Sequence, residues 1–151
     1  MTARVRAMAV LDAAAVADLA TQLGYPTAEP DMARRIGQVA TPGDRAALLV
    51  AVDDEDRPLG WAHVELRQTL VAEPAAQLMA LVVGDGARNR GLGRDLLAAV
   101  EAWAIARGSQ TLLVATRVTR TDAHRFYRRE GFALNKTSHI FEKPLRASAG
   151  S

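Results

Sequence analysis

A glycine- and arginine-rich turn that leads straight into a helix pattern constrains this chain more than any other feature. Residues 87–103 read ARNRGLGRDLLAAVEAW, with three arginines around Gly91 and Gly93. Glycine inside a helix costs about 1 kcal/mol relative to alanine, so its placement here needs a reason. The almost wholly apolar stretch AQLMALVV precedes the turn. The sequence therefore predicts a buried strand, a turn of bare backbone and then a helix.

Such a junction favours a ligand that carries phosphate groups. The first turn of a helix has free N–H groups and the positive end of the helix dipole, and glycine lets a bulky anion approach them. Nearby arginines add charge-assisted hydrogen bonds. The turn lacks both the Lys-Ser/Thr ending of a nucleotide P-loop and the GxGxxG spacing of dinucleotide sites. Triphosphates and dinucleotides are therefore disfavoured, while a turn without a ligand stays open on spacing alone.

Composition narrows the class of protein. The chain has 151 residues, of which 49% are hydrophobic and 24% charged, as in one globular domain. We expect a single domain over residues 1–146 and a disordered tail over residues 147–151, where the sequence is small and polar. Cysteine is absent, which excludes disulfides, thiolate metal sites and a cysteine nucleophile. No signal segment or membrane span is evident, so a cytoplasmic location is expected.

The charge balance argues against nucleic acid as a partner. Lysine and arginine number 19 against 17 acids, a net charge of +2. Nucleic-acid-binding domains carry clustered basic stripes on a strongly basic chain, whereas local arginine clusters on a nearly neutral chain suit a small polyanion. No grouping of histidine and acidic residues has metal-ligand spacing, so no metal is expected.

The periodicity of apolar residues predicts the order β-α-α-β-β-β-α-β-α-β. This order indicates an α/β or α+β fold in which helices cover both faces of a mixed sheet. Asp12 is expected to cap the first helix, and Thr119 or Thr121 the last. Glycines at positions 24, 108 and 131 are expected to end helices. The final stretch, FALNKTSHIFEKPL, is expected to form one strand or a pair of strands.

Two motifs resemble those of the GCN5-related N-acetyltransferase family. RNRGLG at residues 88–93 is similar to the acetyl-CoA pyrophosphate motif Q/R-x-x-G-x-G/A, and DAHRFYRREGF is similar to the later A-x-x-x-Y-x-x-x-G-F motif. The second match places Ala123, Tyr127, Gly131 and Phe132 at the motif positions. The order of elements also matches from Arg4 to Leu145. The resemblance implies this family's fold and the transfer of an acetyl group from acetyl-CoA to an amine.

The resemblance also implies roles for particular residues. Backbone N–H groups at the strand end are expected to stabilise the oxyanion, and Tyr127 to protonate the leaving thiolate. The residues expected to bind the cofactor are Leu81, Val82, Val83, Arg88, Asn89, Arg90, Gly91, Leu92, Gly93, Arg94 and Arg120. The chain departs from the family pattern twice. Arg120 stands where the family often has asparagine, and Met79 where many members have a catalytic glutamate.

Without that glutamate, another group must take the proton of the amine. Strand alternation in GWAHVELR places Trp61, His63, Glu65 and Arg67 on one face. Glu65 is the preferred base, acting through water, and His63 is next. Alternatives are Glu73, bulk water, or an ordinary half-exposed strand with no catalytic role. The remaining histidines, His124 and His139, are expected to be structural or exposed.

Three functions remain open on the sequence. The leading one is an acetyltransferase in which an amine attacks acetyl-CoA directly in a ternary complex. The second is an acyl-CoA-binding sensor that has lost catalysis, which the absence of a glutamate permits but the presence of Tyr127 argues against. The third, a structural or nucleic-acid-associated domain, is disfavoured by the charge. The acceptor, a small-molecule amine or a protein amino group, is left open, as is a homodimer; no membrane partner is expected.

Overall fold

The computed structural model describes residues 3–40, 43–88 and 90–146. The chain divides after Ala115 into two compact units, which are taken in turn. The expected disordered tail, residues 147–151, lies outside the described residues, and the single domain over residues 1–146 stays a prediction. No helix in the described ranges is both long and apolar enough to cross a membrane.

The first unit is a sheet with three helices. Its elements are β1 Arg4–Ala7, α1 Ala13–Gln22, α2 Glu29–Ala40, β2 Ala46–Val52, β3 Pro58–Arg67, β4 Ala75–Val83, α3 Leu92–Ala106 and β5 Leu112–Val114. The strands lie in the order β1-β2-β3-β4-β5. Neighbouring strands are antiparallel except β4 and β5, which are parallel. The expected mixed α/β architecture is confirmed.

Helices cover both faces of this sheet because β3 alternates its side chains between them. Trp61 packs against the hydrophobic cluster that α1, α2 and β2 form. Ala62 and Val64 point to the other face and are completely buried. A Cβ added at Gly60, on that second face, would lie 3.3 Å from Leu96 of α3. The α1–α2 pair and α3 therefore enclose the sheet from opposite sides.

An ion-pair network ties β1 to the start of α1. Asp12 stands at the N-cap position of α1 but makes no cap hydrogen bond there, contrary to expectation. Its carboxylate instead accepts two hydrogen bonds from the Arg6 guanidinium, each 2.9 Å long, and one from the Ala9 N–H at 2.8 Å. Arg6 and, to a smaller extent, the Ala9 N–H hold the pKa of Asp12 below its usual range.

The second unit contains α4, Thr121–Arg129. The N-cap position is Arg120, so the helix begins at one of the two threonines expected to cap it, without a side-chain cap. All three glycines expected to end helices have left-handed backbones, with φ of +90°, +82° and +98° at positions 24, 108 and 131. These helix ends are confirmed.

The expected strand or strands at the end of the chain, the final β of the predicted order, are not formed in the described residues. Residues 132–146 have no strand pairing. Four large apolar side chains in this segment are 75–93% exposed, namely Leu134, Ile140, Phe141 and Leu145. Apolar patterning shows that a segment is suited to a sheet, but a strand also needs a neighbour for its backbone hydrogen bonds.

Candidate active site

The glycine turn between β4 and α3 has the bare backbone that the sequence predicts. Gly91 occupies the N-cap position of α3 with φ +75° and ψ 14°, a left-handed conformation that favours glycine. A Cβ added at Gly91 would have no heavy atom within 4 Å. The hydrogen bond that closes the first turn of α3 runs from the Asp95 N–H to the Gly91 carbonyl at 3.0 Å. The earlier N–H groups of α3 therefore lack a partner in the preceding helical turn and can face an anion.

The arginines of this turn are exposed, as an anion site requires. Arg88, Arg90 and Arg94 all reach the surface. Arg88 also forms an ion pair with Asp85 at 3.1 Å, so a phosphate group would compete with this carboxylate. The side chain of Leu92 is only 3% exposed and belongs to the core. Leu92 can therefore contact a ligand only through its backbone.

Gly93 and Asn89 are the two remaining residues of the turn. Gly93 is half-buried at the second position of α3. Asn89 lies outside the described residues, so its expected role in binding the cofactor stays a prediction. The described part of the turn has bare backbone, the N-terminus of a helix and exposed cations, and these features suit a pyrophosphate.

The middle of β4 contains a β-bulge that the sequence analysis missed. His63 pairs with Ala80, but the next residue of β3, Val64, pairs with Leu78. Met79 is therefore the extra residue of the bulge, and it is 47% exposed. The almost wholly apolar stretch AQLMALVV shows no change of alternation that would have revealed the bulge. Met79 occupies the position where many family members have glutamate, so the bulge holds a thioether instead of a carboxylate.

Beyond the bulge, β4 has an open edge on the side of β5. The parallel pairing of these strands runs from Ala76↔Leu112 to Leu78↔Val114. Within the described residues, the later part of β4 has no ladder partner on this side. Residues 79–83 therefore have backbone groups along this edge that no described strand pairs with.

The direction of the N–H groups along this open edge follows from one hydrogen bond. The Gly84 N–H donates to the Leu59 carbonyl of the β3 side at 2.9 Å. Because N–H groups alternate in direction along a strand, Val82 also faces β3, whereas Leu81 and Val83 face the open edge. Of the three residues expected at the thioester, Leu81 and Val83 can therefore donate a hydrogen bond there, and Val82 cannot.

The titratable pair expected on β3 is formed. His63 Nε2 lies 3.3 Å from Glu65 Oε1, and these side chains are 20% and 40% exposed. His63 lies beside Ala80, next to the bulge. Trp61, on the same face, packs against the α1–α2 cluster and is a core residue. Glu73 is exposed in the loop between β3 and β4.

In the second unit, Tyr127 is held by aromatic neighbours. Its ring makes edge contacts with Phe126 and Phe132, with ring centres 5.2 and 5.3 Å apart. The Phe132 N–H donates to the Tyr127 carbonyl at 2.9 Å. Burial raises the pKa of the Tyr127 hydroxyl, and the positive charge of Arg120 opposes this in part. The hydroxyl is therefore protonated near neutral pH and is a proton donor.

The other expected residues of the second unit have local roles. Arg120 is half-buried, and its Nε lies 3.6 Å from the Asp122 carboxylate. The imidazole of His124 lies 2.9 Å from the Arg117 carbonyl, and His139 is exposed. In the described ranges, no group of three or more histidine or acidic residues could hold a metal ion.

The first unit thus has the anion cradle and the open strand edge of a protein that binds a phosphorylated acyl carrier. Residues 13–132 match the model of the acetyltransferase (GNAT) family, and the chain belongs to this family. It is an N-acetyltransferase that uses acetyl-CoA, as the two motifs predicted.

Similar proteins support this assignment. An aminoglycoside N(6′)-acetyltransferase type 1 of Stenotrophomonas maltophilia is 33% identical over 142 residues, which cover 91% of each chain. A protein of the same description from Klebsiella aerogenes is 31% identical over 72% of each chain. The structure of AAC(6′)-Iy in complex with the bisubstrate analog CoA-S-monomethyl-acetylneamine has a TM-score of 0.84 at 19% identity, covering 96% of this chain and 100% of the other.

Proposed function

We propose that this enzyme acetylates the 6′-amine of an aminoglycoside. The observation that carries this proposal is the 33% identity to an aminoglycoside N(6′)-acetyltransferase, which extends over 91% of both chains. The matched region extends over 142 residues and so reaches well beyond the two cofactor motifs. A protein amino group is the second candidate acceptor, and a homodimer is the candidate assembly.

The glycine turn binds the pyrophosphate of acetyl-CoA in this proposal. The backbone N–H groups of residues 89–93 donate to the phosphate oxygens, and the left-handed Gly91 lets the anion approach. Arg88, Arg90 and Arg94 add charge-assisted hydrogen bonds. Arg120 contributes positive charge to a CoA phosphate. The bound carrier supplies the activated acetyl group.

The open edge of β4 stabilises the charge that develops during acyl transfer. The acceptor amine attacks the thioester carbon directly, so no covalent intermediate with the enzyme forms, which is compatible with a chain that has no cysteine. Negative charge develops on the thioester oxygen, and the N–H groups of Leu81 and Val83 are oriented to donate to it. Binding the two substrates together contributes through proximity.

Two proton transfers complete the reaction. Tyr127 donates its hydroxyl proton to the leaving thiolate, which its protonated state near neutral pH permits. The proton of the amine leaves through water held by His63 and Glu65, which are called the β3 pair. Glu65 is the preferred proton acceptor and His63 is next. The 3.3 Å contact between these side chains supports a shared role, because the carboxylate can orient the imidazole.

The β3 pair predicts a specific pH dependence. We expect Glu65→Gln and His63→Ala each to lower kcat/KM by about 10²-fold and to change its acidic limb, since each removes part of the proton path. Glu65→Gln should also raise KM, because the carboxylate attracts a cationic amine. The measurement is kcat/KM against pH for the wild type and both variants with one good acceptor. Three superimposable profiles would assign the proton to Glu73 or to bulk water instead.

The acceptor can be tested with matched substrates. Release of free CoA thiol should be rapid with an aminoglycoside that has a 6′-amine and absent with a matched compound that has a 6′-hydroxyl. Polyamines, amino acids and a lysine peptide complete the panel. Equal rates with both aminoglycosides would contradict 6′-acetylation, and a preference for the peptide would assign a protein acceptor. CoA binding without turnover of any amine would identify an acyl-CoA sensor.

A further inference from the structure

The last turns of α1 pack directly against the start of the glycine turn. Gly84 follows β4 and is buried. A Cβ added to it would lie 2.7 Å from the Leu19 Cδ2 atom and 3.2 Å from the Leu59 carbonyl oxygen. Its φ of −64° is open to any residue, so glycine serves close approach here and not an unusual backbone conformation. The chain therefore leaves β4 in contact with α1.

A side chain of α1 also forms a hydrogen bond with the backbone of this turn. Asp85 begins a short 3₁₀-helix, Asp85–Ala87, and the first N–H groups of a helix have no partner within it. The N-cap residue, Gly84, has no side chain that could accept from them. The Gln22 Oε1 atom accepts from the Asp85 N–H at 3.0 Å, although the two residues are 63 positions apart. Gln22 thus caps this short helix from a distant part of the chain.

The amide of Gln22 is held from its other end as well. Its Nε2 atom donates to the Asp18 carboxylate, one helical turn earlier in α1, at 3.1 Å. A carboxylate accepts and a backbone N–H donates, so the two partners determine which way the amide faces. The Asp85 carboxylate in turn forms the 3.1 Å ion pair with Arg88. A chain of contacts therefore runs from α1 through Asp85 to an arginine of the glycine turn.

We propose that Gln22 is a positioning residue for acetyl-CoA, because it fixes Asp85 and thereby Arg88 and the turn that receives the pyrophosphate. Gln22 lies outside both sequence motifs and acts through Asp85, not through the ligand. Ala87 is held by burial, at 3% exposed, whereas Asp85 is exposed and depends on polar contacts. The proposal rests on the proposed binding of pyrophosphate at the glycine turn and does not depend on the identity of the acceptor.

Gln22→Met gives the first test. Methionine has a similar length and helix propensity, but its sulfur is only a weak acceptor. We expect the KM for acetyl-CoA and the Kd of CoA to rise about 5-fold, which corresponds to the roughly 1 kcal/mol that one hydrogen bond contributes. The value of kcat and the KM for the amine should not change, because only binding of the cofactor is affected.

The control for this variant is Gln38→Met, the same substitution at an exposed glutamine of α2. It should leave every kinetic parameter and the Kd of CoA near those of the wild type. Unchanged CoA affinity in Gln22→Met, or a loss of kcat without a change in the KM for acetyl-CoA, would overturn the proposal.

An exchange of two side chains distinguishes positioning from a general effect on stability. The double variant Asp18→Asn/Gln22→Glu keeps the net charge and can keep both hydrogen bonds. The new amide donates to the new carboxylate, whose second oxygen accepts from the Asp85 N–H. We expect CoA affinity close to that of the wild type. A double variant as weak as Gln22→Met would show that the hydrogen bond to Asp85 does not carry the effect.

Gly91→Val separates failure of this proposal from failure of the site itself, since it acts at the glycine turn directly. If Gly91→Val weakens CoA binding and Gln22→Met does not, the positioning role of Gln22 is wrong and the site stands. If neither variant changes the Kd of CoA, pyrophosphate does not bind at the glycine turn, and both proposals are wrong. Calorimetric titration with CoA measures the Kd in each variant.

Discussion

Tyr127→Phe is expected to lower kcat by about 10²–10⁴-fold while the affinity for CoA changes little. The substitution removes only the hydroxyl, so the ring contacts with Phe126 and Phe132 remain. The hydroxyl is protonated near neutral pH, since burial raises its pKa further above that of an ordinary tyrosine, so it carries a proton that it can donate to the leaving thiolate. Thiol release measures kcat, and calorimetry measures the affinity for CoA.

The other tyrosine of the chain provides the matched control. Tyr25 is 50% exposed and follows α1, outside both sequence motifs. Tyr25→Phe should therefore leave kcat and CoA affinity near those of the wild type. If Tyr127→Phe reduces only thermal stability or only CoA binding, Tyr127 is a packing residue of α4 and another group protonates the thiolate.

Gly91→Val is expected to weaken CoA binding by about 10²-fold. A β-branched side chain strains the left-handed backbone at φ +75° and places methyl groups where phosphates approach the helix. Loss of two charge-assisted hydrogen bonds at about 1.5 kcal/mol each accounts for this change in affinity. Calorimetric titration with CoA measures the effect, and thermal unfolding measures the stability of the variant.

The opposite end of the same helix offers a control for backbone strain. Gly108 follows α3 with φ +82°, and a Cβ added there would also have no heavy atom within 4 Å. Gly108→Val should lower the stability to a similar extent, about 1–3 kcal/mol, but leave CoA affinity unchanged. Equal losses of CoA affinity in the two variants would show that Gly91 acts through the fold and not through the phosphate.

The sequence predicted most of the fold because its helix ends and strand periods are locally encoded. The left-handed glycines at positions 24, 108 and 131 end helices as expected, and the strand alternation of β3 places His63 and Glu65 on one face. The strand expected near the end of the chain is not formed, for the opposite reason. Its apolar pattern is strand-like, but the pairing of residues 132–146 depends on a neighbour that no local pattern specifies. The helix cap expected at Asp12 is absent for a similar reason, because its carboxylate accepts hydrogen bonds from Arg6 instead of from the helix N-terminus.

The site was predictable where it consists of motif residues and not where it depends on register. RNRGLG located the glycine turn, and Gly91 has the backbone that the motif requires. The bulge at Met79 had no signal in an almost wholly apolar strand, although it determines which N–H groups reach the open edge. The contact between His63 and Glu65 followed from their spacing of two residues along a strand.

The bulge at Met79 also has a consequence for evolution, because the backbone groups of β4 and the side chains around the bulge have different tasks. On the proposed mechanism, oxyanion stabilisation comes from main-chain N–H groups whose direction is set by the strand ladder, and every substitution except proline keeps these groups. Side chains at and around the bulge are then free to vary with the acceptor, provided that the ladder survives. New amine specificities can therefore arise on this scaffold by point mutation without dismantling the machinery for acyl transfer.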